Sequence, residues 1–222
     1  MFTEQVLIIL SDAHTFPVNK VDGTVQREET EFFLFELAKP RWVLRHSTYA
    51  VHFNITNDLV TSSSIEPNID PMSETAMLAF LGQWWEKNRE NKLLQQMRIE
   101  NNLASPRPFG SISDAELDSF DGVFIPGGHA PLSDLVCVQG YKITSWSDQE
   151  EKLVARSKGG TVPKVESTLA AEGAVMVTGA AQKTGAITVD REVVSGSNPL
   201  AAEALGKKFV EMLQEGKRVK GA

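Results

Sequence analysis

An α/β fold with a mainly parallel sheet is predicted by three observations. Val6–Leu10 is an unbroken apolar run rich in β-branched residues and ended by Ser11-Asp12, which suits a strand buried on both faces. Further strand-like runs stand at Tyr49–Thr56, Gly122–Ile125, Tyr141–Ser145, Ala174–Thr178, Ala186–Val189 and Val193–Ser195. Helical stretches with their own start and stop signals separate them, and strands alternating with helices build a parallel sheet.

The elements follow in order. Asn19–Gln26 contains Asp22-Gly23 and reads as a loop. Thr30 to Lys39 is apolar on nearly every side and should form a buried helix that ends before Pro40, because the residue before a proline avoids helical geometry. Ser62–Pro71 is polar, with two prolines, and reads as a surface loop. From Glu74 to about Asn101, Met77, Leu81 and Trp84 fall at helical spacing, with Leu78 and Trp85 beside them. Trp84, Trp85, Phe80 and Met77 suit either a core stripe or the lining of an apolar pocket, and because two adjacent tryptophans cannot face the same side, one of them is expected to be exposed or at an interface. The charged second half, Glu86–Gln96, should run along the surface. Ala104–Phe109 is a loop with two prolines. Ser113-Asp-Ala-Glu116 and Ser147-Asp-Gln-Glu150 are capping boxes, each satisfying the first free amides of a helix, the second running to about Ser157. Pro163 stands where a helix starts and Gly173 where it stops, and Asn198-Pro199 caps a final helix reaching Gly216.

The chain has 222 residues and one cysteine. That length can bury a sizeable core as a single domain over 1–222. A 41% hydrophobic and 23% charged composition is ordinary for a soluble protein. The net charge of −7 argues against a nucleic-acid partner, whose binders present a basic face. One cysteine excludes an internal disulfide. No apolar run is long enough to span a membrane, and no signal-peptide pattern opens the chain, so a cytoplasmic location is expected.

Five segments, in this order, carry a family resemblance: Ile9–His14, Thr30–Pro40, Phe124–Leu135, Gly140–Glu151 and Thr188–Pro199. Phe124-Ile-Pro-Gly-Gly-His-Ala-Pro-Leu-Ser-Asp-Leu135 resembles the Gly-Gly-His turn of the ThiJ/PfpI superfamily, in particular its glyoxalase III and holding-chaperone group. The resemblance implies a flavodoxin-like three-layer sandwich, with a helical cap-type insertion at about 70–110. In that family the turn leads through a helix and a central strand to an elbow bearing a nucleophilic cysteine followed by histidine. Here Val136-Cys-Val-Gln139 runs straight into Gly140-Tyr-Lys, a segment that lies beyond the elbow in the family. The resemblance therefore implies a sheet altered by loss of the nucleophile-strand segment.

It also implies roles. Glu36 occupies the place of the family's acid/base glutamate, although Glu31 stands where a glycine is usual. Gly127, Gly128 and His129 map to the oxyanion site. The residue pattern around Glu36 fits two placements: a partly desolvated carboxyl with a raised pKa, or a glutamate on the helix's wet edge. His129 is a catalytic candidate, and His14 and Asp12 are substrate-binding candidates, because ligands in open α/β sheets gather at the carboxyl ends of strands. Each also suits a structural hydrogen-bonding role. Cys137 is flanked by Val136 and Val138, which would crowd a nucleophile elbow, and reads as an inert thiol. Gly127-Gly128 lacks the Gly-Lys-Ser/Thr of a phosphate loop, and the histidines and carboxylates lack a ligand-pair spacing, so neither a metal nor a cofactor is expected.

Two functions remain. One is cofactor-free acid/base chemistry of lyase, hydratase or cyclase type on a small carbonyl-containing metabolite. The other is a catalytically inactive member acting as a chaperone-like or regulatory binding protein. A truncated splicing product is the trivial third. Loss of a central strand would leave buried amides and carbonyls without partners, at about 1–3 kcal/mol each. Leu135-Val-Cys-Val138 is a candidate substitute strand, joined too closely to Tyr141–Ser145 for a parallel crossover. Repair within one chain then implies an altered sheet order or an antiparallel pairing, and repair between chains implies segment exchange in an intertwined homodimer.

Overall fold

The computed structural model describes residues 4–11, 15–29, 33–45, 49–56, 84–100, 102–128, 138–179 and 184–220. Its first layer is a parallel sheet in the order β5-β4-β1-β6. The strands are β1 (Glu4–Ser11), β4 (Tyr49–Thr56), β5 (Arg107–Pro108) and β6 (Gly122–Phe124). β1 pairs with β4 along its whole length, Glu4 with Tyr49 through Ser11 with Thr56, and with β6 from Val6–Gly122 to Ile8–Phe124. Val6, Leu7, Ile8, Ile9 and Leu10 are all buried, so β1 is covered on both faces, as its unbroken apolar run predicts. Each such side chain contributes about 2 kcal/mol by leaving water. The fold class is the expected one, a flavodoxin-like α/β arrangement.

Helices α1 (Leu34–Arg45), α2 (Trp84–Glu100) and α6 (Ala202–Lys220) close the main core. Val6, Ile8 and Leu10 meet Leu34, Leu37, Ala38 and Leu44 of α1, Leu93, Leu94 and Met97 of α2, and Leu213 of α6. The expected start of the second helix, from Glu74, lies outside the described residues. In the charged half expected to run along the surface, Lys92, Gln95 and Gln96 are exposed, but Leu93, Leu94 and Met97 turn inward at helical spacing, so this stretch is amphipathic rather than wholly wet.

α1 corrects the reading that the helix ends before Pro40, since it continues to Arg45. An interior proline removes an amide donor and crowds the carbonyl four residues earlier, at a cost of about 3 kcal/mol. Packing offsets this. Pro40 is buried against α6 at Gly206, where an added Cβ would stand 2.8 Å from the Pro40 Cα. Leu44, beyond the proline, is fully buried, so stopping the helix early would expose core.

Asn19–Gln26 is likewise more than a loop. β2 (Thr15–Lys20) and β3 (Val25–Glu29) form an antiparallel hairpin, and β8 (Gly160–Thr161) joins the β2 edge. Only the tip is a turn. Gly23 takes φ 84°, and Asp22 Oδ1 accepts from the Thr24 amide at 2.9 Å. Asp-Gly is a strong hairpin signal, but β3 is almost wholly polar and shows no apolar alternation.

After the described part of the Gly-Gly turn, the sheet resumes separately. β7 (Lys142–Ile143) pairs in parallel with β9 (Val175–Met176), while β10 (Ile187–Asp190) and β11 (Val193–Gly196) form an antiparallel pair. Among the described residues, β6 has β1 on one side and no strand on the other. Most of Leu135–Val138 lies outside the described residues; Val138 is not in a strand but opens a tight turn, its carbonyl accepting from Tyr141 N at 3.1 Å with Gly140 at φ 75°.

Helices α3 (Asp114–Leu117), α4 (Asp148–Lys158) and α5 (Val165–Ala171) are the other α-helices among the described residues. The Ser147 box is closed in both directions, and Gly159 ends α4 in the left-handed conformation. The Ser113 box closes only halfway. Ser113 Oγ accepts from Glu116 N at 3.2 Å, but the Glu116 carboxylate turns to Arg107 instead. Asn198 caps the last helix as read, accepting from Leu200 N at 3.0 Å, although α6 runs past Gly216 to Lys220. No described helix is long and apolar enough to cross a membrane.

Candidate active site

β1, β4 and β6 are parallel, so their carboxyl ends lie on one edge of the sheet. α1 starts at that edge. Its first-turn acid is Glu36, the third residue of the helix, where a carboxylate is favoured by the helix dipole. Phe33 precedes the helix, and its carbonyl accepts from Glu36 N at 3.0 Å and Leu37 N at 3.2 Å. The Phe33 N–H donates outward to the Gly127 carbonyl at 3.3 Å, tying the helix start to the turn after β6.

This tie brings Glu36 and the Gly-Gly turn together. A Cβ built on Gly127 would lie 2.7 Å from Glu36 Oε2, 2.8 Å from Oε1 and 2.9 Å from Cδ. The carboxyl therefore rests against the Gly127 backbone. Glu36 is half-buried between the buried Phe35 and Leu37, with Gly127 and Gly128 half-buried as well. Gly128 takes φ 135°, a backbone conformation that a residue with a side chain rarely adopts. The arrangement puts a carboxyl, able to give or take a proton, beside a turn with an unusual backbone at a strand's carboxyl end.

Of the residues singled out from sequence, Glu36, Gly127 and Gly128 converge. Asp12, His14, His129 and Cys137 lie outside the described residues. Phe33 is the participant that sequence reading missed, because it acts only through its backbone amide. Among the described residues, no three His, Cys, Asp or Glu side chains are grouped to hold a metal.

Other carboxylates near helix starts are engaged structurally. Glu150 accepts from Ser147 N at 2.9 Å, from Ser147 Oγ at 2.6 Å and from Asn198 Nδ2 at 3.3 Å. Asp148 accepts from the Ser167 amide at 3.2 Å and from the Ser167 hydroxyl, while its own amide donates to Glu166 at 2.9 Å. Burial works against the Asp148 charge, but the Ser167 hydrogen bonds and the Lys164 ammonium outweigh it and hold its pKa below the ordinary value.

The comparisons agree with this architecture. The Rapid Encystment Protein 24 KDa of Francisella tularensis is 16% identical, with a TM-score of 0.66 over 95% of this chain and 99% of that one. Glyoxalase III of Candida albicans is also 16% identical, with a TM-score of 0.66 over 95% of this chain and 98% of that one. Likeness at this identity shows a shared fold. Neither a family model nor a curated protein matches the chain.

Proposed function

We propose that the protein performs cofactor-free acid/base chemistry, of lyase, hydratase or cyclase type, on a small carbonyl-containing metabolite, with Glu36 as the proton-transferring group. The observation that carries this reading is the Glu36 carboxyl lying against the Gly127 backbone at the carboxyl end of the sheet. A substrate carbonyl seated at the turn would be polarised by backbone amides, and the carboxyl would remove or deliver the adjacent proton. His129, next in sequence, is the second candidate for proton transfer, and His14 and Asp12 are candidates to hold the substrate. The reading needs no thiolate, in keeping with a chain whose single cysteine sits between two valines. The shared fold with a glyoxalase III supports small carbonyl compounds as the class to try first.

A screen of small aldehydes and enones tests it, with wild type compared to Glu36→Gln. Turnover in wild type that falls about 10²-fold or more in the variant is expected. Methylglyoxal consumption abolished by Cys137→Ser would instead indicate thiol chemistry.

A second reading, chaperone-like or regulatory binding, is favoured by exposed apolar strand residues. Val123 and Ile125 are 42% and 46% exposed at β6, and Val175 is 50% exposed on β9. The same surfaces support the homodimer reading, with two chains covering each other's apolar edges. A dimer mass in light scattering is expected, and a monodisperse monomer would remove that proposal. Suppression of client aggregation, weakened by Val123→Ser with Ile125→Ser, would favour the binding role.

A further inference from the structure

We propose that Gly127 is a positioning residue whose missing side chain sets the place of the Glu36 carboxyl. The inference rests on the acid/base reading of Glu36 for its functional meaning, but its geometry stands apart from it. Two adjacent glycines occupy the turn for different reasons. Gly128 has φ 135°, so its requirement is set by the backbone. Gly127 is not among the residues with positive φ. What a side chain there would meet is Glu36: the three nearest heavy atoms to its Cβ are both carboxyl oxygens and the carboxyl carbon, at 2.7, 2.8 and 2.9 Å. Real Cβ atoms do not approach so closely, so something must move.

The Glu36 carboxyl is what gives way. It is the far end of a flexible, half-buried side chain, whereas Gly127 is held by the hydrogen bond from Phe33 N to its carbonyl at 3.3 Å. Phe35 and Leu37 on either side of Glu36 are buried, so the helix cannot retreat as readily as the carboxyl can swing. A single methyl at position 127 therefore displaces the carboxyl without unfolding the site. In a reaction that moves a proton over hydrogen-bond distance, a shift of about 1 Å costs on the order of 10²-fold in rate.

The test is Gly127→Ala, read by the carbon-13 shift of the Glu36 carboxyl and by a crystal structure, with Val123→Ala as a control. The expected result is a changed Glu36 signal and a carboxyl moved by about 1 Å, with melting lowered by less than about 4 °C, the scale of a loss of at most about 1 kcal/mol. The control should leave the Glu36 signal in place. Shortening the acid supplies a rescue: in a Glu36→Asp background, adding Gly127→Ala should leave the Asp signal unchanged. An unmoved Glu36 carboxyl in Gly127→Ala, or equal perturbation in the Glu36→Asp background, overturns the proposal. Wild type inactive on every substrate, with the carboxyl nevertheless displaced, would sink the acid/base reading and leave the positioning role intact.

Discussion

Glutamate is the third residue of several described helices, and two of these helix starts, those of α1 and α4, treat it in opposite ways. At α4, Glu150 is the third helical residue and folds back on Ser147, accepting from its amide and hydroxyl while also receiving Asn198. At α1, Glu36 is the third residue, but the amide before the helix, Phe33 N–H, donates across to Gly127. The Glu36 carboxyl lies against that same glycine. A glutamate in the first turn is favourable in either place. What distinguishes a structural acid from a candidate catalytic one is where its carboxylate ends up: over its own helix start, or at the edge of a strand-end turn.

The sharpest way to break this comparison is through rate. Glu36→Gln should lower turnover about 10²-fold or more while the variant remains folded by circular dichroism. Equal activity would move the chemistry to another group, with His129 next. Glu150→Ala should do the reverse. Losing the reciprocal cap and the Asn198 link should cost about 2 kcal/mol, a drop of about 4–8 °C in melting, with catalysis unchanged in the folded protein. A Glu150→Ala variant as stable as wild type would remove the structural half of the contrast.

Smaller effects test the frame that holds α1. Gly206→Ala gains about 1 kcal/mol of helix propensity but drives a methyl to 2.8 Å from the Pro40 Cα. Overpacking costs about 1–3 kcal/mol, so a net loss of about 1 kcal/mol is expected by chemical denaturation. Stabilisation would mean that α1 and α6 separate easily. Asp148→Asn should cost about 1 kcal/mol at pH 7. The Asp148 pKa is held below its ordinary 3.8, so its contribution is present above that value and is lost as pH falls through the lower folded value. Wild type and variant should therefore converge in acid. A constant gap down to pH 2 would show that charge is not the cause.

Much of the frame was legible in the sequence because local signals and burial agree there. Val6–Leu10 had to be a covered strand, Tyr49–Thr56 emerges as β4 with those bounds, and the Ser147 box and the Asn198 cap form as read. Misreadings fell where tertiary contact overrides local preference. Pro40 looked like a helix end because the accommodating Gly206 is distant in sequence. The β2–β3 hairpin was hidden by its polarity, and Glu116 left its own cap for Arg107. At the site, Glu36 and the Gly-Gly turn were legible through the family resemblance. Their mutual contact was not, because it depends on α1 and β6 meeting at one sheet edge and on an amide donated by a phenylalanine. Asp12, His14, His129 and Cys137 lie outside the described residues.

The most direct measurement is proton exchange. Wild type, Glu36→Gln and Glu150→Gln would each be incubated in D₂O with small α-hydroxy aldehydes and ketones, following deuterium entry beside the carbonyl by NMR. Exchange by wild type, retained in Glu150→Gln and reduced at least about 10²-fold in Glu36→Gln, is the expected result. Exchange at the same rate in wild type and Glu36→Gln would contradict a proton-transfer role for Glu36.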